Sequence, residues 1–404
     1  MVALAFLGVS CLALTMTTSR QPTARKFEIP KSLSTIEAKA EAMSQRAKEG
    51  AVFTEEELQQ VVNSIQNVYP SEDPLDWEAL RDLVKEVACL SHKDWQVTDD
   101  NSRRLASTLL PKGVDGSARQ LLERILLEGN WDGAVSNDSK ELPWAVLVTG
   151  VNGIRKTTSI YQPWFRDVLK EALLVPPGGA MPSDFPVGAN SFFRQLDHMI
   201  ASLCNHEFAT LYQLAHGLLD SEAALQNPPK EAVTKYSNLK AAIFSRYRTL
   251  SELLGAALLR EAKGMNCMLE TSGRDVAMFH YVDHFFPQGY RKLALHFTIN
   301  DLEQAKESVD RRMITEIQTG VNAIEKGCAF DVIYANAGGP YGSEVLDGIQ
   351  KDSDQVWSEQ VLSRSVGADW YKATIQINAY ADKPWTARAV KPDGSLGTEF
   401  TFQR

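Results

Sequence analysis

Two stretches of this chain hold residues whose types and spacing could handle a phosphate. The first is Gly150-Val151-Asn152-Gly153-Ile154-Arg155-Lys156-Thr157, which follows the short apolar run Trp144–Thr149 directly. Glycines at such spacing let backbone amides turn onto phosphate oxygens, and the start of a following helix adds partial positive charge. A lysine placed there reaches the β- and γ-phosphates, and the next hydroxyl can hold Mg2+. The pattern assigns Gly150, Asn152, Gly153, Arg155, Lys156, Thr157 and Thr158 to a nucleotide, with Thr157 as the metal ligand. ATP and Mg2+ are the cofactors it implies. One position departs from G-x-x-x-x-G-K-[ST]: Arg155 stands where glycine precedes the lysine. Its guanidinium would either add a phosphate contact or crowd the cradle.

The second stretch is Gly264-Met265-Asn266-Cys267-Met268-Leu269-Glu270-Thr271-Ser272-Gly273-Arg274-Asp275. A strand running straight into Glu270 would put a carboxylate at the C-terminal edge of a sheet, where ligands bind in open α/β folds. Further on, Gly289-Tyr290 leads into another strand-like run, Lys292–Thr298. The helical pattern Asp301–Ile317 then carries Arg311 and Arg312, paired cations that suit a lid closing on transferring charge. A Gly-rich segment, Asn336–Gly342, could close over a substrate or be a tight turn that needs positive φ.

Helices and strands must position these groups, and their periodicities divide the chain. From Leu33 to about Asn130 apolar residues recur at three- and four-residue steps, and Thr54 with Glu57 forms a capping box ahead of Leu58. The pattern changes at Pro143. Trp144–Thr149 and Asn266–Leu269 read as buried strands, alternating with long helical stretches over Ser191–Leu219 and Glu231–Lys263. Phe330–Ala335 reads as a further strand. Trp370–Tyr380, Trp385–Val390 and Leu396–Phe402 alternate like an antiparallel meander, with a turn at Pro392-Asp393-Gly394. The expected fold is α/β: a P-loop NTPase-type parallel sheet flanked by helices, with an all-helical N-terminal domain and a small antiparallel β extension. The segments are 1–30 (targeting or anchor), 31–140 (helical), 141–330 (P-loop α/β) and 331–404 (C-terminal extension).

Strand-G-x-x-G-x-x-K-T, then G-x-N-x-x-x-E-T-x-G-R, then Gly-Tyr and an arginine-bearing helix resembles the zeta-toxin group of P-loop kinases over roughly Trp144 to Glu316. That resemblance implies transfer of the ATP γ-phosphate to a hydroxyl of a small molecule. It gives Lys156 the catalytic phosphate role, Arg311 or Arg312 the lid cation, and Glu270, Thr271 and Arg274 the substrate side. The family's general base, an Asp just after its second strand with an Arg close by, has no clean counterpart, because no clear second strand precedes it here. Within Asp184–His198 the candidates are Asp197 as base and Arg194 on the substrate, with Asp184 as a weaker base. The competing expectation is a nucleotide-binding protein that has lost turnover and acts as a scaffold or regulator.

Net charge is −9 with a pI near 5.4, a poor balance for nucleic acid, which rewards surplus Lys and Arg. The expected partners are a nucleotide and a small molecule. Five scattered cysteines form no C-x-x-C pair, which disfavours a zinc site and a disulfide framework. Val2–Met16 is apolar but short for a bilayer span, and Thr17–Lys31 is rich in Ser, Thr, Arg and Lys. Together they suggest import into an organelle, plastid-type import included, or the secretory route, with a cytoplasmic location as the alternative.

Overall fold

The computed structural model describes residues 33–70, 75–90, 94–137, 142–219, 223–224, 228–286 and 288–403. The targeting segment lies outside them. Among the described residues no helix is long and apolar enough to cross a membrane.

Seven strands form one sheet: β1 (Trp144–Thr149), β2 (Ser191–Arg194), β3 (Asn266–Glu270), β4 (Arg291–Ile299), β5 (Tyr371–Asn378), β6 (Thr386–Val390) and β7 (Leu396–Thr401). Their order is β2-β3-β1-β4-β5-β6-β7. The first five run parallel, and β6 and β7 add antiparallel hairpins at one edge. Every residue of β1 is buried, as a parallel strand covered on both faces must be. Its side chains alternate between two cores: Ala145 and Leu147 face one, and Trp144, Val146 and Val148 the other.

The first core lies under the helical layer. Helices α1 (Leu33–Glu49), α2 (Glu55–Gln66), α3 (Trp77–Val87), α4 (Trp95–Leu109), α5 (Ala118–Leu121), α6 (Glu123–Glu128) and α7 (Trp131–Val135) precede β1. Two short helices, α8 (Lys156–Ile160) and α9 (Phe165–Ala172), connect β1 to β2, broken around Pro163. Between β2 and β3 run α10 (Leu196–Leu203), α11 (Asn205–Leu218) and α12 (Lys230–Glu261), and α13 (Ala277–Phe285) leads to β4. Then α14 (Leu302–Lys326), α15 (Ala329–Ala335) and α16 (Leu346–Val356) lead to β5.

The N-terminal helices are tied to this layer by a buried charge. Glu57 closes the α2 capping box with Thr54 and accepts from the Arg246 guanidinium of α12 at 2.9 and 3.0 Å. Burial alone would raise the Glu57 carboxyl, but hydrogen bonds from Arg246, the Thr54 amide and Arg46 bring it down to about 2. One apolar cluster runs from Met43 to Trp370 across these helices and the inner face of the sheet.

Two expectations are corrected. Ser191–Leu219 is not one helix: Ser191–Arg194 pairs with Asn266–Leu269 as β2, and Phe192 and Phe193 bury toward opposite cores. Phe330–Ala335 lies in α15, because β4 already has β5 as its neighbour and the segment buries Val332, Ile333 and Ala335 instead. A short apolar run cannot by itself distinguish these states. The Trp370–Tyr380 strand does open the expected antiparallel meander, β5-β6-β7. It pairs in parallel with β4 and carries the last two strands into the main sheet.

Four cysteines are described, all free thiols. Cys204 and Cys267 are buried, and burial raises both.

Candidate active site

The order β2-β3-β1-β4 sends the chain from β1 to one side of the sheet and from β3 back to the other, and a crevice opens at such a reversal. The C-terminal ends of β1 and β3 lie there side by side, with Val148 paired to Glu270.

The loop after β1 turns through two left-handed glycines, Gly150 (φ +123°) and Gly153 (φ +84°). A β-carbon on Gly150 would lie 2.5 Å from the Phe297 carbonyl oxygen, and one on Gly153 2.5 Å from that of Ala305. Only glycine fits either place. Among the described residues, the amides of Val151, Asn152, Gly153, Ile154, Arg155 and Lys156 donate to no other group of the chain. These donors sit where α8 begins.

Lys156 is buried. Its Nζ donates to the carbonyls of Gly150 (2.7 Å) and Val151 (2.6 Å) and lies 3.1 Å from Glu270 Oε1. Thr157 Oγ1 donates to Glu270 Oε2 at 3.0 Å. Ammonium, hydroxyl and carboxylate, drawn from both sequence stretches, thus meet at one point.

Arg155 has a left-handed backbone, at φ +62°, a conformation that costs a side-chain-bearing residue about 1–2 kcal/mol. Its guanidinium leaves the loop and lies 4.4 Å from the centre of the Trp385 ring and 5.3 Å from that of Phe402. Partial burial and the charge of Arg311 both depress its pKa.

Asp197 stands in the first turn of α10, just past β2. Burial raises its carboxyl above the ordinary value, against the pull of Lys240 and Arg312, while Glu270 and Glu316 push the same way as burial. The segment Asn336–Gly342 runs past it. Asn336 Nδ2 donates to the Asp197 carbonyl at 2.9 Å, and a β-carbon on Gly339 would lie 3.7 Å from Asp197 Oδ2 and 3.5 Å from Asn152 Nδ2. Arg312 donates to the Gly339 carbonyl at 3.3 Å. The Gly-rich segment therefore lies between the loop after β1 and the Asp197 carboxylate.

A buried network that the motifs do not mark anchors this second loop. The Lys240 ammonium lies 2.7 Å from both Glu316 Oε2 and the Gly338 carbonyl. Glu316 also accepts from Tyr236 Oη (2.7 Å) and the Ala337 amide (2.8 Å). Lys240 and Glu316 are fully buried. Burial pulls the Lys240 ammonium below its ordinary value, although Glu316 pulls it up. The sequence signal was present as a lysine and a glutamate inside apolar helical stripes.

A second buried chain backs β1. Thr149 Oγ1 lies 2.9 Å from His296 Nδ1, the other ring nitrogen lies 3.3 Å from Asp354 Oδ1, and the imidazole stacks on Trp357. Burial depresses the His296 pKa despite the Asp354 contact.

The remaining candidates divide. Thr271 follows Glu270, its amide held by the Val148 carbonyl. Arg274 is exposed at the mouth and reaches Tyr341 Oη at 3.4 Å. Thr158 and Arg311 have exposed side chains on the loop side of α8 and on α14. Arg194 is not brought to the site: it turns into the helical layer, pairs with Glu252 at 2.9 Å and donates to Tyr281 Oη at 3.2 Å. Asp184 pairs with Arg291 at 2.7 Å, at the opposite end of β4 from the loop. Among the described residues, no group of three His, Cys, Asp or Glu could hold a metal ion.

No family model matches this chain, and no curated protein matches it. Among solved structures, a chain from the PezAT chromosomal toxin–antitoxin system of Streptococcus pneumoniae is similar over 70% of this chain and 83% of that one. The identity is 12% and the TM-score 0.34. A likeness at that level carries no conclusion about activity or partners.

Proposed function

We propose that this chain is a Mg·ATP-dependent kinase that phosphorylates a hydroxyl of a small molecule, on the pattern of the zeta-toxin-like kinases its motifs resemble. The observation that supports it most is the convergence of Lys156, Thr157 and Glu270 at the end of β1 and β3, with Asp197 and Arg312 facing the same loop across Gly339.

The residues fit the implied cofactors. A loop whose glycines pack directly on the Phe297 and Ala305 carbonyls, and whose amides have no partner among the described residues, suits phosphate oxygens. A threonine hydroxyl beside a carboxylate is the hard-oxygen donor set that Mg2+ takes, completed by water and phosphate. Bound Mg·ATP supplies the transferable phosphoryl group and the cation that neutralises its charge. Lys156 moves from the Gly150 and Val151 carbonyls to the phosphate oxygens. Glu270 and Thr157 hold the metal side of the cradle. Asp197, made more basic by burial, would take the proton of the acceptor hydroxyl as the acceptor oxygen bonds to the γ-phosphorus and the bond to the β–γ bridging oxygen breaks, with ADP leaving. Arg312 faces the charge that develops between them. Arg274 and Tyr341 border the entrance.

Asp197→Asn should lower ATP-dependent phosphorylation of a panel of small hydroxyl compounds by roughly 10²–10⁴-fold. Activity within about threefold of wild type would remove Asp197 from the role of base. One observation favours a second reading, a nucleotide-binding protein without turnover: the Lys156 ammonium is already satisfied by two carbonyls and Glu270. Saturable Mg·ATP binding with no product from any acceptor, and no ADP release, would select it.

A further inference from the structure

The glycine before the lysine of a phosphate loop is replaced here by arginine, and the C-terminal strands have built a seat for it. Trp385 and Phe402 flank β6 and β7, and both are largely buried. The seat is rigid: the Phe402 amide donates to the Trp385 carbonyl at 3.1 Å, and Trp385 Nε1 donates to the Tyr380 carbonyl at 3.1 Å. Behind them Trp164 packs edge-on against Phe402, with ring centres 5.2 Å apart, and its Nε1 donates to the Thr401 carbonyl at 3.0 Å. An aromatic face attracts a guanidinium through its quadrupole.

The Arg155 guanidinium has no hydrogen-bond or ion-pair partner among the described residues, and Ser159 holds only the Arg155 carbonyl. Among the described residues no carboxylate pairs with its guanidinium, whereas Glu270 is the carboxylate held against the inside of the loop. A released arginine would be drawn toward that charge and across the amides that face the phosphate. The next residue, Lys156, shows the loop interior to be tight, its ammonium within 2.7 Å of two carbonyls.

We propose that Trp385 and Phe402 are positioning residues for the nucleotide loop: they hold the Arg155 guanidinium outside the cradle, so that a loop with arginine in the glycine position still accepts a phosphate. The β6–β7 addition to the sheet then has a function at the site. The inference rests on the nucleotide-binding reading given above.

The test is a mutant cycle on the full chain, with Mg·ATP affinity measured by calorimetry and the Arg155 side-chain Hε shift by NMR. Trp385→Leu should weaken Mg·ATP binding by about tenfold, and Trp385→Phe, which keeps a ring, by much less. Adding Arg155→Gly to Trp385→Leu should restore the affinity of Arg155→Gly alone, which a variant that merely failed to fold would not do. Equal losses with and without Arg155, or no loss in Trp385→Leu, would overturn the proposal. If neither wild type nor Arg155→Gly binds Mg·ATP, the nucleotide reading fails, and the seat is judged by NMR alone. A ring-shifted Hε signal that Trp385→Leu returns to its ordinary position supports the seat, and an unshifted signal in wild type rejects it.

Discussion

Two glycine-rich loops meet at Asn152 and Gly339, and they are held in opposite ways. The loop after β1 is shaped by close packing: Gly150 and Gly153 adopt left-handed φ against the Phe297 and Ala305 carbonyls, and among the described residues the amides from Val151 to Lys156 have no partner in the chain. The Asn336–Gly342 loop is held from outside. Gly338 also has a left-handed φ, +136°, but Lys240 and Glu316 fix its carbonyl and the Ala337 amide from two buried helices. The first loop leaves its donors open, while the second has its polar groups tied to side chains of neighbouring helices. Glycine content alone does not define such a loop. What matters is where its backbone hydrogen bonds go.

The largest effect should come from breaking the external anchor. Glu316→Ala leaves the Lys240 ammonium buried without its counter-charge and should cost about 3–5 kcal/mol in urea unfolding. Lys240→Met with Glu316→Leu should recover most of that loss, because it removes both charges together. A cost below about 1 kcal/mol for Glu316→Ala would mean that the second loop is not anchored there.

Next in size is the contrast between the loops themselves. Gly150→Ala should cost roughly 2–4 kcal/mol, from the left-handed backbone and the collision with the Phe297 carbonyl. Gly339→Ala meets only ordinary contacts at 3.5 Å and beyond, so its thermal stability should change by about 0.5 kcal/mol or less. Equal costs would erase the distinction.

The smallest effect is electrostatic. With the Asp197 carboxyl raised by burial, the group stays protonated to a higher pH than an ordinary carboxyl, and the proposed role as base requires the ionised form. kcat/KM should therefore fall on the acid side before the usual carboxylate range is reached. Arg312→Gln removes a cation that favours the ionised form and should move that acid limb further up in pH. An unmoved limb would separate Arg312 from the base.

Much of this was legible in the residues. The β1 run, the glycine spacing, Lys156-Thr157 and the Glu270 strand end are contiguous signals, and they come together as their patterns imply. Asp197 could be placed after a second strand only by position, because Ser191–Arg194 is too short to show alternation and runs on into a helix. Arg194 misled for a related reason: a buried strand end faces the helical layer as readily as the crevice, and Glu252 lay 58 residues away. The Lys240–Glu316 anchor spans 76 residues, so no local pattern joins it. Yet each partner interrupts an apolar stripe, Tyr236-Lys240-Ile243-Tyr247 and Val309-Met313-Glu316-Gly320, and a charge in such a stripe needs a partner. The fate of the Arg155 side chain could not be read at all, since its aromatic seat is more than 200 residues downstream.

The central claim is that the loop after β1 takes the phosphates of Mg·ATP. Calorimetric titration of Mg·ATP into the protein and its Lys156→Ala variant tests it most directly. Saturable binding that weakens at least about a hundredfold in the variant, the loss of a buried charge-assisted contact, is the predicted result. Equal affinity in both proteins, or no binding in either, would contradict it.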